Sequence, residues 1–297
     1  MSERCGFVAV VGAPNAGKST LVNALVGQKV AIVSPKAQTT RTRLIGVAIA
    51  GESQILLVDT PGIFAPQRRL DRAMVAAAWS GAQDADLIAF VIDAKSGITH
   101  KIADLLDTLA ARREPKLLIL NKVDICAKEK LLELATVLHA KLAPEAIFMI
   151  SASTGDGVGD LRKALAERMP EGPWHFPEEQ VSDATDRMLA AEVTREQIFL
   201  QLHAELPYAS AVETEKYDER KDGSVAIHQQ VLVARETQKA IVLGKRGARL
   251  KEIGSRARAE LERLLDRKVH LFLHVKVAEK WEEDRGLYRE IGLDWVD

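Results

Sequence analysis

Residues 12–20 read GAPNAGKST, that is Gly12, Ala13, Pro14, Asn15, Ala16, Gly17, Lys18, Ser19 and Thr20. They contain the pattern G-x-x-x-x-G-K-[ST] between an apolar run typical of a buried strand (FVAVV, 7–11) and an amphipathic run typical of a helix (LVNALV, 21–26). Glycines let the backbone approach an anion, and the N–H groups of the loop and helix point at phosphate oxygens. Lys18 adds a positive charge and Ser19 a hydroxyl for Mg²⁺. The stretch therefore predicts a phosphate-binding loop.

Apolar runs alternate with amphipathic stretches from this loop to Met169. The runs are QILLVD (54–59), LIAFVID (87–93), KLLIL (116–120) and AIFMI (146–150). Such alternation predicts a mostly parallel sheet with helices on both faces, the α/β fold of a P-loop domain, over residues 1–169.

The pattern changes after Met169. Three prolines and a glycine in PEGPWHFPEEQVSD predict an interdomain linker over residues 170–182. Beyond it we expect a helix (183–205), strands at 210–218 and 225–234, two helices, and a strand at 269–277. The order α-β-β-α-α-β predicts a smaller α+β domain over residues 183–297.

Composition excludes some classes of protein. The 297 residues carry 41 Lys and Arg against 42 Asp and Glu, a net charge of −1, so no global surplus indicates a polyanionic partner. The two cysteines, Cys5 and Cys126, cannot build a disulfide framework, and the first residues lack a secretory pattern. The apolar runs fall far short of the ~20 residues that span a bilayer. We therefore expect a cytosolic protein.

Three further motifs follow predicted strands, where open α/β sheets bind ligands. Asp59, Thr60, Pro61 and Gly62 form the first, in which Asp59 is placed to support Mg²⁺ and Gly62 to offer its N–H to a γ-phosphate. Asn121, Lys122 and Asp124 form the second. Its carboxylate can accept from the N1–H and 2-amino groups of guanine, which adenine lacks. Ser151, Ala152 and Ser153 form the third, which can present the Ala152 N–H to the guanine carbonyl.

In this order the motifs resemble those of translation-factor-type GTPases. The resemblance implies a switch threonine before the second strand, for which KAQTTRTR offers Thr39, Thr40 and Thr42. Similarity to the QTTRxR stretch of Era-type GTPases assigns Thr40, which would close over Mg²⁺ and the γ-phosphate; the alternative is that these threonines only begin a strand. Ras-like enzymes carry a glutamine after the DxxG glycine, whereas this chain has Ile63. Asn15 implies, by resemblance, a K⁺ ion that bridges the phosphates and stimulates hydrolysis.

The second domain contains a G-x-x-G loop between its two predicted adjacent helices. Gly244 and Gly247 flank Lys245 and Arg246, and the apolar Ile241 and Leu250 frame the loop. In KH domains such a loop clamps four nucleotides of a single strand. We therefore expect these six residues to bind RNA.

The charges near this loop support that expectation. Residues 239–276 hold 11 basic and 4 acidic residues, a net +7, although residues 171–297 as a whole hold 20 basic and 25 acidic residues, a net −5. We therefore expect a confined basic groove. Arg256, Arg258 and Arg263 fit either this groove or a solvated helix face with i, i+4 ion pairs.

Aromatic residues and histidines complete the set of candidates. The tail residues Trp281, Tyr288 and Trp295 fit either base stacking or packing. The histidines of this domain show no metal-ligand spacing.

Taken whole, the chain resembles the Era family of bacterial GTPases. That resemblance implies a Mg²⁺-dependent GTPase with a type II KH domain that binds 16S ribosomal RNA near its 3′ end and assists 30S assembly. It also implies peripheral association with the inner membrane in some members. We expect a monomer. The alternative is a GTP-regulated signalling switch whose second domain binds protein; a metabolic P-loop kinase is disfavoured because the second and third motifs specify a base.

Overall fold

The computed structural model describes residues 3–36, 40–41, 43–63, 69–83, 85–290 and 293–296. The chain forms two compact units. One comprises residues 1–31, 40–183 and 296–297, and the other comprises residues 32–39 and 184–295. In the described residues, no helix is long and apolar enough to cross a membrane.

A six-stranded sheet forms the centre of the first unit. Its strands are β1 (Arg4–Val11), β2 (Leu44–Ala50), β3 (Ser53–Asp59), β4 (Leu87–Asp93), β5 (Lys116–Asn121) and β6 (Ala146–Met149). Its helices are α1 (Lys18–Val26), α2 (Arg69–Gln83), α3 (His100–Ala110), α4 (Lys128–Leu142) and α5 (Val158–Glu167). The strand order is β2-β3-β1-β4-β5-β6, and only the β2–β3 pair is antiparallel. The predicted α/β class is therefore confirmed.

The sheet is apolar on both faces because helices cover both. Val8 and Val10 of β1 face a core shared with α1 and α5, whereas Ala9 and Val11 face a second core shared with α3 and α4. All four side chains are fully buried. Burial of both faces explains the continuous apolar runs of the sequence. The five parallel strands thereby bring their carboxyl ends, and the predicted motifs, to one edge.

The stretch predicted as a linker lies along the first unit. The Cys5 N–H donates to the Pro170 carbonyl at 3.0 Å, and the Val47 N–H donates to the Val181 carbonyl at 2.8 Å. The buried Gln54 side chain donates to the Phe176 carbonyl at 2.8 Å. Proline and glycine signal only the absence of a helix, so the composition could not reveal these attachments.

The second unit has the element order α-β-β-α-α-β followed by a short helix. Its elements are α6 (Asp186–Gln201), β7 (Ser210–Glu219), β8 (Val225–Val233), α7 (Glu236–Leu243), α8 (Ala248–Leu265), β9 (Val269–Val277) and α9 (Arg285–Glu290). The sheet order is β7-β8-β9, antiparallel and then parallel. Helix α6 is shorter than the predicted 183–205, because Thr185 caps its start by accepting from the Met188 N–H and Leu202 is extended.

Polar contacts hold α6 within this unit. Thr194 donates to the Gln229 side chain at 2.6 Å, and Gln229 donates to Thr214 at 3.1 Å; all three are buried. The segment before Thr40 also binds α6. The Val33 N–H donates to the Glu196 carboxylate at 2.8 Å, and the Lys36 ammonium donates to carbonyl groups at the C-terminal end of α6.

Candidate functional site

The predicted phosphate loop joins β1 to α1. Gly17 precedes the first residue of α1 with φ of 96°, a left-handed conformation that favours glycine. A Cβ atom at Gly17 would lie 2.2 Å from Nδ2 of Asn121, so no other residue fits without moving that side chain. Thr20 lies in the first turn of α1, and Ala13 and Pro14 lie in the loop.

Lys18 is buried beneath the loop. Its ammonium donates to the carbonyls of Gly12 at 3.2 Å and Ala13 at 3.0 Å, and its residue is 6% exposed. Burial lowers the Lys18 pKa to about 8, although the nearby Asp59 carboxylate opposes the shift. The site therefore holds a desolvated cation that a phosphate would stabilise.

Ser19, Thr40 and Asp59 converge at the start of α1. The Ser19 hydroxyl donates to Oδ2 of Asp59 at 2.8 Å, and Oγ of Ser19 lies 2.8 Å from Oγ1 of Thr40. The Thr40 hydroxyl also donates to Oδ2 of Asp59, at 3.3 Å. Burial raises the Asp59 pKa against the opposing effects of Lys18, Ser19 and Thr40.

This cluster fits a magnesium ion. Oδ1 of Asp59 is buried and has no hydrogen-bond partner among the described residues. Hydroxyl and carboxylate oxygens are the ligands that Mg²⁺ takes beside substrate phosphates. Of the predicted switch threonines, Thr40 lies in this cluster, whereas Thr39 and Thr42 fall outside the described residues.

Residues 60–63 run from β3 beside the phosphate loop. The buried Thr60 hydroxyl donates to the Val10 carbonyl at 2.8 Å, and the Ile63 N–H donates to the Gly12 carbonyl at 3.3 Å. Pro61 and Gly62 lie between them. The Ile63 side chain packs against the core that α3 and α4 cover. It is apolar and cannot orient a water molecule.

Asn121 joins the phosphate loop to the base-binding loops. Its Nδ2 donates to the Ala16 carbonyl at 2.9 Å, and its Oδ1 accepts from the Ala152 N–H at 3.0 Å. The hydroxyls of Ser151 and Ser153 lie 3.1 Å apart in that second loop. Asp124 is exposed in a 3-10 turn after β5.

Lys122 links the same loops through a partner that the motifs did not identify. Its ammonium donates to the Asn15 carbonyl at 2.8 Å and to Oδ2 of Asp93 at 2.7 Å. Burial alone would raise the Asp93 pKa, but the hydrogen bond from Lys122 lowers it. Asp93 ends the run LIAFVID at the same sheet edge, a signal that could have revealed it.

The G-x-x-G loop of the second unit joins α7 to α8. Gly244 has φ of 68°, and a Cβ atom there would lie 2.7 Å from Cβ of Arg249. Lys245 and Arg246 are exposed, and Arg246 also adopts a positive φ, of 53°. Gly247 caps the start of α8.

Apolar side chains frame this loop, as predicted. Ile241 is 50% exposed, while Leu250 is partly buried against the core of the unit. An exposed isoleucine beside two cations offers both an apolar contact and charge to a nucleotide strand.

The structure favours packing over base stacking for the tail residues. Trp281 and Tyr288 are buried, which favours packing, and Tyr288 meets the Trp295 ring edge-on at 5.0 Å between centroids. In the part of the chain that the structure describes, no group of three or more His, Cys, Asp or Glu side chains could hold a metal.

The geometry defines a P-loop GTPase domain followed by a KH domain. The family model described as a 50S ribosome-binding GTPase matches residues 7–122, and a KH-domain model matches residues 205–282. The chain is 58% identical to GTPase Era of Erythrobacter litoralis, covering 99% of this chain and 98% of that protein. It is 56% identical to GTPase Era of Rhizobium meliloti, covering 98% and 93%.

Two solved structures match the whole chain. One is Era in complex with MgGDPNP and nucleotides 1506–1542 of 16S ribosomal RNA, with a TM-score of 0.92, 39% identity, and coverage of 98% of this chain and 99% of that one. The other is a variant of Aquifex aeolicus Era bound to GDP and AlF4⁻, with a TM-score of 0.92, 39% identity, and coverage of 97% and 99%. The chain belongs to the Era family of GTPases, as its motifs predicted.

The burial of Lys18 predicts a pH dependence of nucleotide binding. Below pH 8 the ammonium is charged with or without nucleotide; above it the free site becomes neutral, whereas bound phosphates favour the charged form. The affinity for GDP should therefore fall as pH rises above about 8, by up to about tenfold per pH unit. Calorimetric titration between pH 7 and 9, at fixed ionic strength and Mg²⁺, measures this fall.

Lys18→Arg is the matched control, because arginine stays charged throughout this range. The GDP affinity of this variant should not show the additional fall above about pH 8. Proton uptake by the wild type, measured at pH 8.5 in two buffers of different ionisation enthalpy, checks the same linkage independently. A wild-type slope equal to that of Lys18→Arg, without proton uptake, would contradict the prediction.

Proposed function

We propose that this GTPase binds single-stranded RNA near the 3′ end of 16S ribosomal RNA and assists assembly of the 30S subunit. The observation that carries the proposal is the exposed Lys245–Arg246 pair held between Gly244 and Gly247 in a KH-type unit. The Era structure with nucleotides 1506–1542 of that RNA supports the choice of ligand.

In the GTPase unit we propose Mg²⁺ as the cofactor, held by Ser19 and Thr40 with Asp59 behind them. Magnesium would neutralise the charge that develops on the phosphates. Lys18 binds the phosphates from below, and the 12–17 loop offers N–H groups. Asp124 selects guanine, since an adenine would leave the carboxylate unpaired. The Ala152 N–H, which donates to Oδ1 of Asn121 in this structure, would exchange or share that bond with the guanine carbonyl.

We propose that K⁺ stimulates hydrolysis through Asn15. Asn15 is exposed at the tip of the phosphate loop with φ of 65°, and the Lys122 ammonium holds its carbonyl. The Ile63 side chain cannot position water, and an additional cation beside the phosphates would add to the charge stabilisation that Lys18 supplies.

GTP hydrolysis should be faster in KCl than in NaCl at equal ionic strength, and Asn15→Ala should lose this difference. Phosphate release under saturating GTP and Mg²⁺ measures both rates. Gly51→Ala serves as the control, because Gly51 also has a positive φ in the same unit, and a Cβ atom there meets nothing within 4 Å. Equal wild-type rates in the two salts would contradict the proposal.

The RNA assignment is tested with Gly247→Asp. A Cβ atom at Gly247 meets nothing within 4 Å, so the variant should fold while it places a negative charge where phosphates pass. We expect a loss of affinity of at least tenfold for an oligonucleotide from the 3′ end of 16S RNA, measured by fluorescence anisotropy, with GTP affinity unchanged.

Gly223→Asp is the matched control. Gly223 lies in the β7–β8 turn of the same unit with φ of 80° and equally open space around a Cβ atom. Aspartate tolerates the left-handed conformation comparably at both sites. Wild-type protein that fails to bind RNA, or equal affinities of the two variants, would overturn the RNA-binding function.

We also propose a monomeric, cytoplasmic protein with peripheral contact to the inner membrane. Membership of the Era family supports this location. Sedimentation velocity should give one species near the chain mass of 32.6 kDa, and a salt wash should release any membrane-bound fraction. A stable dimer, or a fraction that only detergent releases, would count against it.

A further inference from the structure

The end of β4 supports the loop that carries Asn121 and Lys122. Asp93, the last residue of β4, pairs in register with Asn121, the last residue of β5. One residue later, the Ala94 N–H donates to the Asn121 carbonyl at 2.9 Å. None of the predicted nucleotide-binding motifs contains Asp93 or Ala94, yet both residues contact the guanine-binding motif directly. This end of β4 is therefore part of the structure that supports the nucleotide site.

Both oxygens of the Asp93 carboxylate are held. Oδ1 accepts from the Lys95 N–H at 3.0 Å and from the Ser96 N–H at 3.2 Å. The Gly97 N–H donates to the Asp93 carbonyl at 3.0 Å and closes the same turn. Oδ2 accepts from the Lys122 ammonium at 2.7 Å. Because the turn fixes Oδ1, it also fixes the direction in which Oδ2 is presented to Lys122.

The Lys122 ammonium in turn holds the phosphate loop. It donates to the Asn15 carbonyl at 2.8 Å. Lys122 has φ of 66° and Asn15 has φ of 65°, left-handed conformations that residues other than glycine adopt only where surrounding contacts hold them. The ion pair between Asp93 and Lys122 is largely shielded from water, with side chains 19% and 30% exposed. It is therefore better able than a surface pair to fix a flexible lysine side chain.

We propose that Asp93 is a positioning residue for nucleotide binding and that it acts through Lys122 on the phosphate loop. The carboxylate keeps the ammonium against the Asn15 carbonyl, so the loop is held in its binding conformation before the nucleotide arrives. A loop that is ordered in advance binds more tightly, because binding then has less ordering to supply. This inference concerns the nucleotide site and does not depend on the proposed RNA binding.

Asp93→Asn tests the proposal in the full-length protein. The side-chain oxygen of asparagine can still accept from the Lys95 and Ser96 N–H groups, but the variant loses the charge and turns an amide NH₂ toward the ammonium. Since charge-assisted hydrogen bonds are the stronger ones, GDP should bind about tenfold more weakly and dissociate correspondingly faster. Calorimetry measures the affinity, and stopped-flow release of a fluorescent N-methylanthraniloyl derivative of GDP measures the dissociation rate.

Asp86→Asn is the matched control. Asp86 lies directly before β4, at the opposite end of the strand and about 23 Å from Asp93 at 3.3 Å per residue. Its Oδ2 accepts from the Phe7 N–H at 2.8 Å, so the same chemical change removes a hydrogen-bonded carboxylate far from the nucleotide. GDP affinity should equal that of the wild type. Asp93→Glu retains the charge and should recover most of the affinity, because the flexible lysine can follow a carboxylate one methylene away.

A double-mutant cycle separates action through Lys122 from a merely structural role of the turn. Lys122→Met keeps most of the side-chain stem and removes the ammonium, so it should weaken GDP binding by itself. If Asp93 acts through the ammonium, adding Asp93→Asn to Lys122→Met should cause no further loss. If the two residues act independently, the two losses should multiply. The cycle remains decisive even where Asp93→Asn lowers the melting temperature, because the double variant is compared with Lys122→Met.

Three outcomes would overturn the proposal. The first is a GDP affinity of Asp93→Asn equal to that of the wild type or of Asp86→Asn. The second is a loss in the double variant equal to the product of the two single losses. The third is a loss in Asp93→Glu as large as that in Asp93→Asn, which would show that the charge beside Lys122 is not what matters.

Discussion

The Asn121 carboxamide is the contact on which the nucleotide site depends. It is buried at 2% exposure and joins the Ala16 carbonyl in the phosphate loop to the Ala152 N–H in the base loop. These two loops follow β1 and β6, which lie three positions apart in the sheet. One side chain therefore fixes the distance between the phosphate end and the base end of the nucleotide. Gly17 must lack a Cβ atom because that carboxamide occupies the space.

The buried charges of the site follow from the same enclosure. Lys18 and Asp59 are both desolvated, which favours their neutral forms. Burial therefore lowers the pKa of the Lys18 ammonium and raises the pKa of the Asp59 carboxyl group. A nucleotide with a divalent cation would supply the opposite charge to each. The two buried charges therefore favour tight binding of a phosphate–magnesium pair over either component alone.

The sequence predicts those parts of the site that depend on residues close together in the chain, and not those that depend on tertiary contacts. The phosphate loop and the G-x-x-G loop were predictable, because each needs particular residue types at fixed spacing. Asp93 was not identified from the motifs, because the pairing of β4 with β5 brings it beside Lys122. The attachment of residues 170–182 was equally hidden, because it depends on backbone hydrogen bonds from β1 and β2. Whether Arg256 pairs within α8 required coordinates, which place its Nε 2.6 Å from the Glu252 carboxylate.

The division of the chain into units adds a constraint on the switch segment. Val33 and Lys36 bind α6 in the second unit, whereas Thr40 binds Ser19 and Asp59 in the first. One short stretch therefore carries both a contact that would respond to the γ-phosphate and contacts that hold the C-terminal end of α6. Because α6 is tied to the sheet of the second unit through the buried Thr194–Gln229–Thr214 chain, Val33 and Lys36 bind a rigid element and not a loose loop.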